Sequence, residues 1–275
     1  MSGATMTRIA LLFPGQGSHE AGMEEAVAGS ELLAAGLAML DYDPFSRLDE
    51  GTRYQQPALY LCSVAAWELA GRPDALAGAG HSLGEYAALV AAGALAFGDA
   101  LHLVDIRAAA MAAAGEDEAG GMAAVLGGDP DDVRALAARL GLVVANDNAP
   151  GQLVLAGPRD ALAAVESGAR ELGARSRELP VSGAFHSPLI ASAQAELAGA
   201  LAATPVAPTR WPVYSNGTAA PFGDVRAELA ENLVRPVRFR ETILALQDAG
   251  AEEFVELGPG RVLSGLVKRT LRATA

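Results

Sequence analysis

The chain has 275 residues, 51% of them hydrophobic and 19% charged, a balance that excludes a disordered polymer and supplies enough apolar surface for a globular core. With 20 Lys and Arg against 33 Asp and Glu, the formal net charge is -13, which excludes a nucleic-acid surface built on clustered cations. An anionic partner would need a local basic patch. No apolar run of about 18 residues is free of charges or turn residues, and the stretch from Met1 to Arg8 lacks an apolar signal core, so neither a membrane nor the secretory route is expected. The single cysteine, Cys62, cannot form an intrachain disulfide; its place in the apolar stretch Ala58 to Ala70 predicts a core residue and fits a cytoplasmic address.

In chain order, Arg8 to Phe13 reads as a short buried strand running into the turn Pro14-Gly15-Gln16-Gly17-Ser18. Ala58 to Ala70 has helical apolar spacing, Ala75 to Gly80 is an apolar strand, and Leu83 to Ala92 is a helix. Asp99 to Ala114 is predicted as a further helix, capped by Asp99 and stopped by Gly115. This alternation predicts a parallel sheet wrapped by helices. From Gly121 to Ser182 the order becomes β-α-β-β-α-β, which predicts an inserted ferredoxin-like unit. The expected organisation is therefore a large α/β domain from residues 1–120 and 188–275, with a small domain over 121–187. The return to the large sheet uses helix Pro188 to Ala203, strand Pro212 to Ser215, helices Val225 to Leu233 and Phe239 to Ala249, and strand Glu253 to Leu257. Residues 1–7 and the last few after Arg272 are expected to fray.

Gly80-His81-Ser82-Leu83-Gly84 fits G-x-S-x-G, the elbow that presents a serine above the edge of an α/β-hydrolase-like sheet. The preceding strand and following helix are the context that the motif requires, and the helix N-terminus suits a developing oxyanion. A serine nucleophile needs a base, and the chain has 4 histidines. His81 adjoins the serine with a diverging side chain, and His19 and His102 read as structural. His186, in Gly183-Ala184-Phe185-His186-Ser187, follows the last strand of the small unit and is the best base by elimination. No acidic residue stands near it in sequence, so a backbone carbonyl is an available orienting partner.

With these residues in view, the sequence resembles the malonyl-CoA:acyl carrier protein transacylase family, including the acyltransferase domains of polyketide synthases. The matching motifs are Phe13 to Ser18, Gly80 to Tyr86, Val104-Asp105-Ile106-Arg107, Ala184 to Ser187, and Glu256-Leu257-Gly258-Pro259-Gly260, in family order across nearly the whole chain. The resemblance implies a Ser82–His186 dyad, an oxyanion hole from the backbone N–H groups of Gln16 and Leu83, and bidentate pairing of Arg107 with the malonyl carboxylate. It implies that Asn232 holds the histidine through its carbonyl, and that Phe185 selects malonyl over methylmalonyl groups. A fork-shaped cation also suits a half-ester with a free carboxylate on general grounds. The segment between His19 and Tyr54 looks short for the family, which predicts a trimmed early helix.

The implied reaction is ping-pong transfer of a malonyl group from malonyl-CoA to the phosphopantetheine thiol of an acyl carrier protein, in fatty-acid or polyketide synthesis. It uses no metal and no redox cofactor, and coenzyme A is part of a substrate. A monomer is expected, with carrier docking on local cations: either Arg235, Arg238 and Arg240, or Lys268, Arg269 and Arg272. The alternatives are a proofreading acyl hydrolase of the same fold, which would lack the arginine, and a non-catalytic docking module.

Overall fold

The structure is a computed structural model that describes residues 8–273, so the ends expected to fray lie outside the described residues, apart from Ala273. Strand β1 (Ile9–Phe13) is apolar throughout, as suits a strand covered on both faces, and it lies inside a four-stranded parallel sheet, between β2 (Ala77–Gly80), which has β7 (Val213–Tyr214) on its other side, and β8 (Glu253–Glu256). The early segment forms a 3-10 turn at Glu25–Val27, helix α1 (Glu31–Met39), capped by Ser30, and a second 3-10 stretch at Phe45–Glu50. Helix α2 (Thr52–Leu69) starts well before the predicted Ala58, because Pro57 is accommodated inside it instead of marking its boundary. Cys62 is buried on this helix, and burial pushes its thiol up to about 12, as expected of an inert core residue.

Strand β2 (Ala77–Gly80) enters the elbow, and helix α3 (Gly84–Ala91) leaves it. Glycine is required on both sides: a Cβ at Gly80 would lie 1.9 Å from the Gly84 carbonyl carbon, and one at Gly84 would lie 2.0 Å from the Phe13 carbonyl oxygen. Helix α4 (Phe97–Asp117) differs from its prediction at both ends. Ala96 occupies the cap position and Asp99 sits in the first turn. The helix runs through Gly115, whose role is close packing, since a Cβ there would lie 2.6 Å from the Ser182 carbonyl oxygen.

The second sheet is built from β3 (Gly120–Leu126), α5 (Pro130–Arg139), β4 (Val143–Ala149), β5 (Gln152–Pro158), α6 (Arg159–Leu162), α7 (Val165–Glu171) and β6 (Arg175–Glu178). Its order β4-β5-β3-β6, all antiparallel, is the ferredoxin-like arrangement. The single helix predicted after β5 is broken into α6 and α7, and the last strand stops at Glu178, just before Leu179-Pro180. The chain then returns through a 3-10 turn (Pro188–Ile190), α8 (Ala191–Ala203), β7 (Val213–Tyr214), α9 (Val225–Glu231), α10 (Phe239–Asp248), β8 (Glu253–Glu256) and α11 (Val262–Arg272). Helix α11 was not among the sequence expectations; it buries Leu263, Leu266, Val267 and Thr270. A parallel bridge between Asn146 and Val237 joins the two sheets' surroundings, and buried Asp147 accepts from both Arg134 and Arg240 at 2.8 Å. Among the described residues, no helix is long and apolar enough to cross a membrane.

Candidate active site

The elbow brings Ser82 to the mouth of a cavity of about 190 Å³ between the two sheets, and His186 meets it from the loop after β6. Both residues have positive φ, 51° at Ser82 and 58° at His186, an uncommon conformation for residues with a Cβ that must be held by surrounding contacts. Ser82 Oγ and His186 Nε2 are 2.8 Å apart. On the far side of the ring, His186 Nδ1 lies 2.8 Å from the Asn232 carbonyl and 3.1 Å from the Arg235 carbonyl. Carbonyls only accept, so the proton sits on Nδ1, and Nε2 is left with the lone pair that takes the serine proton. Burial first, and the Arg107 charge second, push the imidazole down to about 3, so the ring is neutral at ordinary pH.

Arg107 approaches Ser82 from α4. It is 2% exposed; Nη2 donates to Ser82 Oγ at 2.9 Å and Nη1 donates to Gln56 Oε1. Its Nε has no partner and no carboxylate pairs with it among the described residues, while burial pulls its pKa below the ordinary value. The Tyr86 ring, 5.9 Å from the guanidinium carbon, supplies a partial electrostatic complement. A relay of side chains continues outward: Gln56 donates to Thr52 at 2.8 Å, Thr52 to Gln16 at 2.9 Å, and Gln16 to Gln55 at 2.9 Å. The relay holds the Gln16 loop at the cavity. The backbone N–H groups of Gln16 and Leu83 have no protein acceptor among the described residues.

Phe185 is 4% exposed and lines the cavity with Met111, Met122, Val154, Leu179 and Val181. Thus Ser82, His186, Gln16, Leu83, Arg107 and Phe185 converge, and Asn232 stands directly behind His186 through its carbonyl. His19 also lines the cavity, whereas His102 is exposed on α4; His81 is held away from the serine, with Nε2 2.8 Å from Asn148 Oδ1. Sequence reasoning missed Asn216, Glu85 and Gln56. Asn216 Oδ1 accepts from the Ser82 N–H at 2.6 Å, and its Nδ2 donates to the Gly80 carbonyl at 2.6 Å, which clamps the elbow from both sides. Glu85 is 2% exposed, and burial pushes its carboxyl up to about 8 against the hydrogen bonds from Asn216 and Asn232.

A hydroxyl under a carbonyl-anchored imidazole, on an elbow above a parallel sheet, is the arrangement of the α/β enzymes that carry acyl groups on serine. The comparisons with known proteins are narrower. The chain belongs to the acyl transferase domain family, whose model matches residues 10–275. It is 40% identical over 292 residues to a malonyl CoA-acyl carrier protein transacylase of Bacillus subtilis, covering 97% of this chain and 92% of that protein. It is 41% identical over 281 residues to the polyketide biosynthesis protein ThaF of Burkholderia thailandensis; this covers 95% of the chain but spans 24% of that longer protein. Among solved structures, a malonyl-transacylase in complex with a type II polyketide synthase acyl carrier protein aligns with a TM-score of 0.90 and 32% identity, covering 96% of this chain and 93% of that one.

Proposed function

We propose that the protein transfers a malonyl group from malonyl-CoA to the phosphopantetheine thiol of an acyl carrier protein, through an ester on Ser82. The observation that carries this reading is the Arg107 guanidinium, buried against the nucleophile without a carboxylate partner among the described residues. A buried cation left this way is a standing demand for an anionic acyl group. In the proposed cycle, His186 Nε2 takes the Ser82 proton as Oγ attacks the thioester carbonyl, and the oxyanion forms toward the N–H groups of Gln16 and Leu83. The C–S bond breaks, and the coenzyme A thiolate leaves with the proton from His186. The carrier thiol then gives its proton to His186, attacks the ester, and releases Ser82 with that proton. Arg107 holds the malonyl carboxylate throughout, and Phe185 fills the space that a C2 methyl group would need. Each proton is shuttled by a side chain already present, so the proposed cycle uses no cofactor. We place the reaction in the cytoplasm, on the strength of the relatives' reaction and the inert Cys62.

Incubation with malonyl-CoA, followed by intact-mass measurement, tests this. A stable malonyl adduct that is absent from Ser82→Ala and is discharged by a phosphopantetheinylated carrier is the expected result. Free malonate released faster than any adduct accumulates would identify an acyl hydrolase instead, and an unchanged mass would remove both readings.

A further inference from the structure

The nucleophile and the base arrive from opposite directions, Ser82 from the elbow after β2 and His186 from the loop after β6, yet both are held by residues that converge on one buried side chain. Glu85 lies in the first turn of the elbow helix, where every residue of α3 is buried and all but Gly84, Glu85 and Tyr86 are aliphatic. Its Oε1 accepts from the Asn216 backbone N–H at 2.7 Å and from Asn232 Nδ2 at 2.9 Å; Oε2 lies 3.1 Å from that same Nδ2. Asn216 is the residue whose side chain clamps the Ser82 N–H, and Asn232 is the one whose carbonyl accepts from His186 Nδ1. A single carboxyl oxygen therefore ties together the supports of both reacting groups.

We propose that Glu85 is a positioning residue which sets the Ser82–His186 separation by holding Asn216 and Asn232 on one oxygen, and that it acts by its reach instead of its charge. The alternative would have the carboxylate act electrostatically, against the imidazolium or with Arg107. The geometry favours reach, because the oxygen that makes both short contacts is one that an amide also possesses. Glutamine at this position keeps a carbonyl oxygen for Asn216 and Asn232. Aspartate keeps the ionisable carboxyl but withdraws it by roughly 1.5 Å, one carbon–carbon bond. Misplacing reacting groups by about 1 Å costs on the order of 100-fold in rate.

The proposal rests on the Ser82–His186 reading, and the two fail separately: wild-type protein that takes no malonyl group on Ser82 overturns that reading before any variant is compared. The experiment is single-turnover acylation of Ser82 by malonyl-CoA in wild type, Glu85→Gln, Glu85→Asp and Glu85→Ala, with KM and a thermal melt for each. The expected order is Glu85→Gln within about tenfold of wild type, and Glu85→Asp and Glu85→Ala each slower by on the order of 100-fold, with KM for malonyl-CoA within about threefold throughout. A merely structural role would lower the melting temperature and the amplitude of the acylation step while leaving its single-turnover rate constant unchanged. Glu85→Asp outpacing Glu85→Gln would show that charge matters and overturn the proposal, as would wild-type rates in folded Glu85→Ala. Should the Glu85 variants fail to fold, Asn232→Ala asks the same question, because it removes the amide that Glu85 holds and keeps the carbonyl on His186. A slower acylation step at unchanged KM is expected there, and a wild-type rate would contradict the proposal.

Discussion

The two walls of the cavity are built on different principles. The parallel-sheet side presents Ser82, Arg107 and the Gln16 loop, backed by buried Glu85, Asn216, Asn232 and Gln56 that are hydrogen-bonded to one another or to the reacting groups. The antiparallel side presents Met122, Val154, Leu179, Pro180 and Val181, with Asn146 and Asn148 as its polar members. Buried polar networks fix one geometry because an unpaired member is expensive, whereas an apolar wall can repack at modest cost. One wall therefore holds the chemistry in place, and the other shapes what may enter.

Substitutions on the fixed wall, or of the base that its Asn232 carbonyl anchors, should reduce the rate itself. His186→Ala removes the base and should slow Ser82 acylation on the order of 10⁴-fold or more, read by quench-flow and mass. A loss below about tenfold would show that another group takes the serine proton. Asn216→Ala leaves the Ser82 N–H without its clamp and should destabilise the fold by about 1–3 kcal/mol, in addition to slowing acylation. Denaturant titration checks the first effect and single-turnover acylation the second.

Where the two walls meet, the effect should pass from rate to choice of substrate. Phe185→Ser should raise the kcat/KM for methylmalonyl-CoA relative to malonyl-CoA by an amount equivalent to about 1–3 kcal/mol, the usual worth of one methyl group in a pocket. An unchanged ratio would place the C2 substituent elsewhere. On the surface, Lys268, Arg269 and Arg272 are exposed on α11, while Arg235, Arg238 and Arg240 are each paired with an acid, Glu231, Glu241 and Asp147. Charge reversal on α11 should raise the carrier's KM severalfold and leave that for malonyl-CoA alone, an effect expected to shrink with added salt.

The smallest expected effect concerns pH. The Glu85 carboxyl, at about 8 in the folded chain against 4.5 when free, retains its proton on folding between those values. Unfolding free energy should therefore fall as pH rises through that window. His186, lowered from 6.5 to about 3, contributes the opposite slope, but only below about 6.5. Burial also lowers His81 and His19, which add to the His186 slope, so the difference between wild type and Glu85→Gln in denaturant midpoints at pH 6.5 and 8 is what isolates Glu85; the variant should lack the fall.

The fixed wall was only partly legible in the sequence. Ser82, His186 and Arg107 lie in short local patterns, and the buried strands Ile9–Phe13 and Ala77–Gly80 show as continuous apolar runs. The ferredoxin-like order followed from the alternation of strand and helix patterns. The supports were not legible, because the contacts of Glu85 span 131 residues to Asn216 and 147 to Asn232, distances that no local pattern encodes. A signal was nonetheless present, since an acid in the otherwise apolar run Gly84–Ala91 cannot be buried without partners. Gly115 misled for a related reason: a glycine marks either a stop or a close approach, and only the packing against Ser182 tells which.

The central claim is that the buried Arg107 makes this a site for a dicarboxylic acyl group, and the most direct test is Ser82 loading by malonyl-CoA and by acetyl-CoA in wild type and Arg107→Ala. Losing one partner of a desolvated charge pair costs about 2–5 kcal/mol, so malonyl loading should fall by roughly thirtyfold to several-thousandfold. Acetyl-CoA strands no carboxylate, so its loading should hold or rise, and the preference between the two thioesters should narrow or invert. A folded Arg107→Ala protein that loses both loadings in equal proportion would contradict the account, because Arg107 would then serve the fold or the nucleophile and not the substrate.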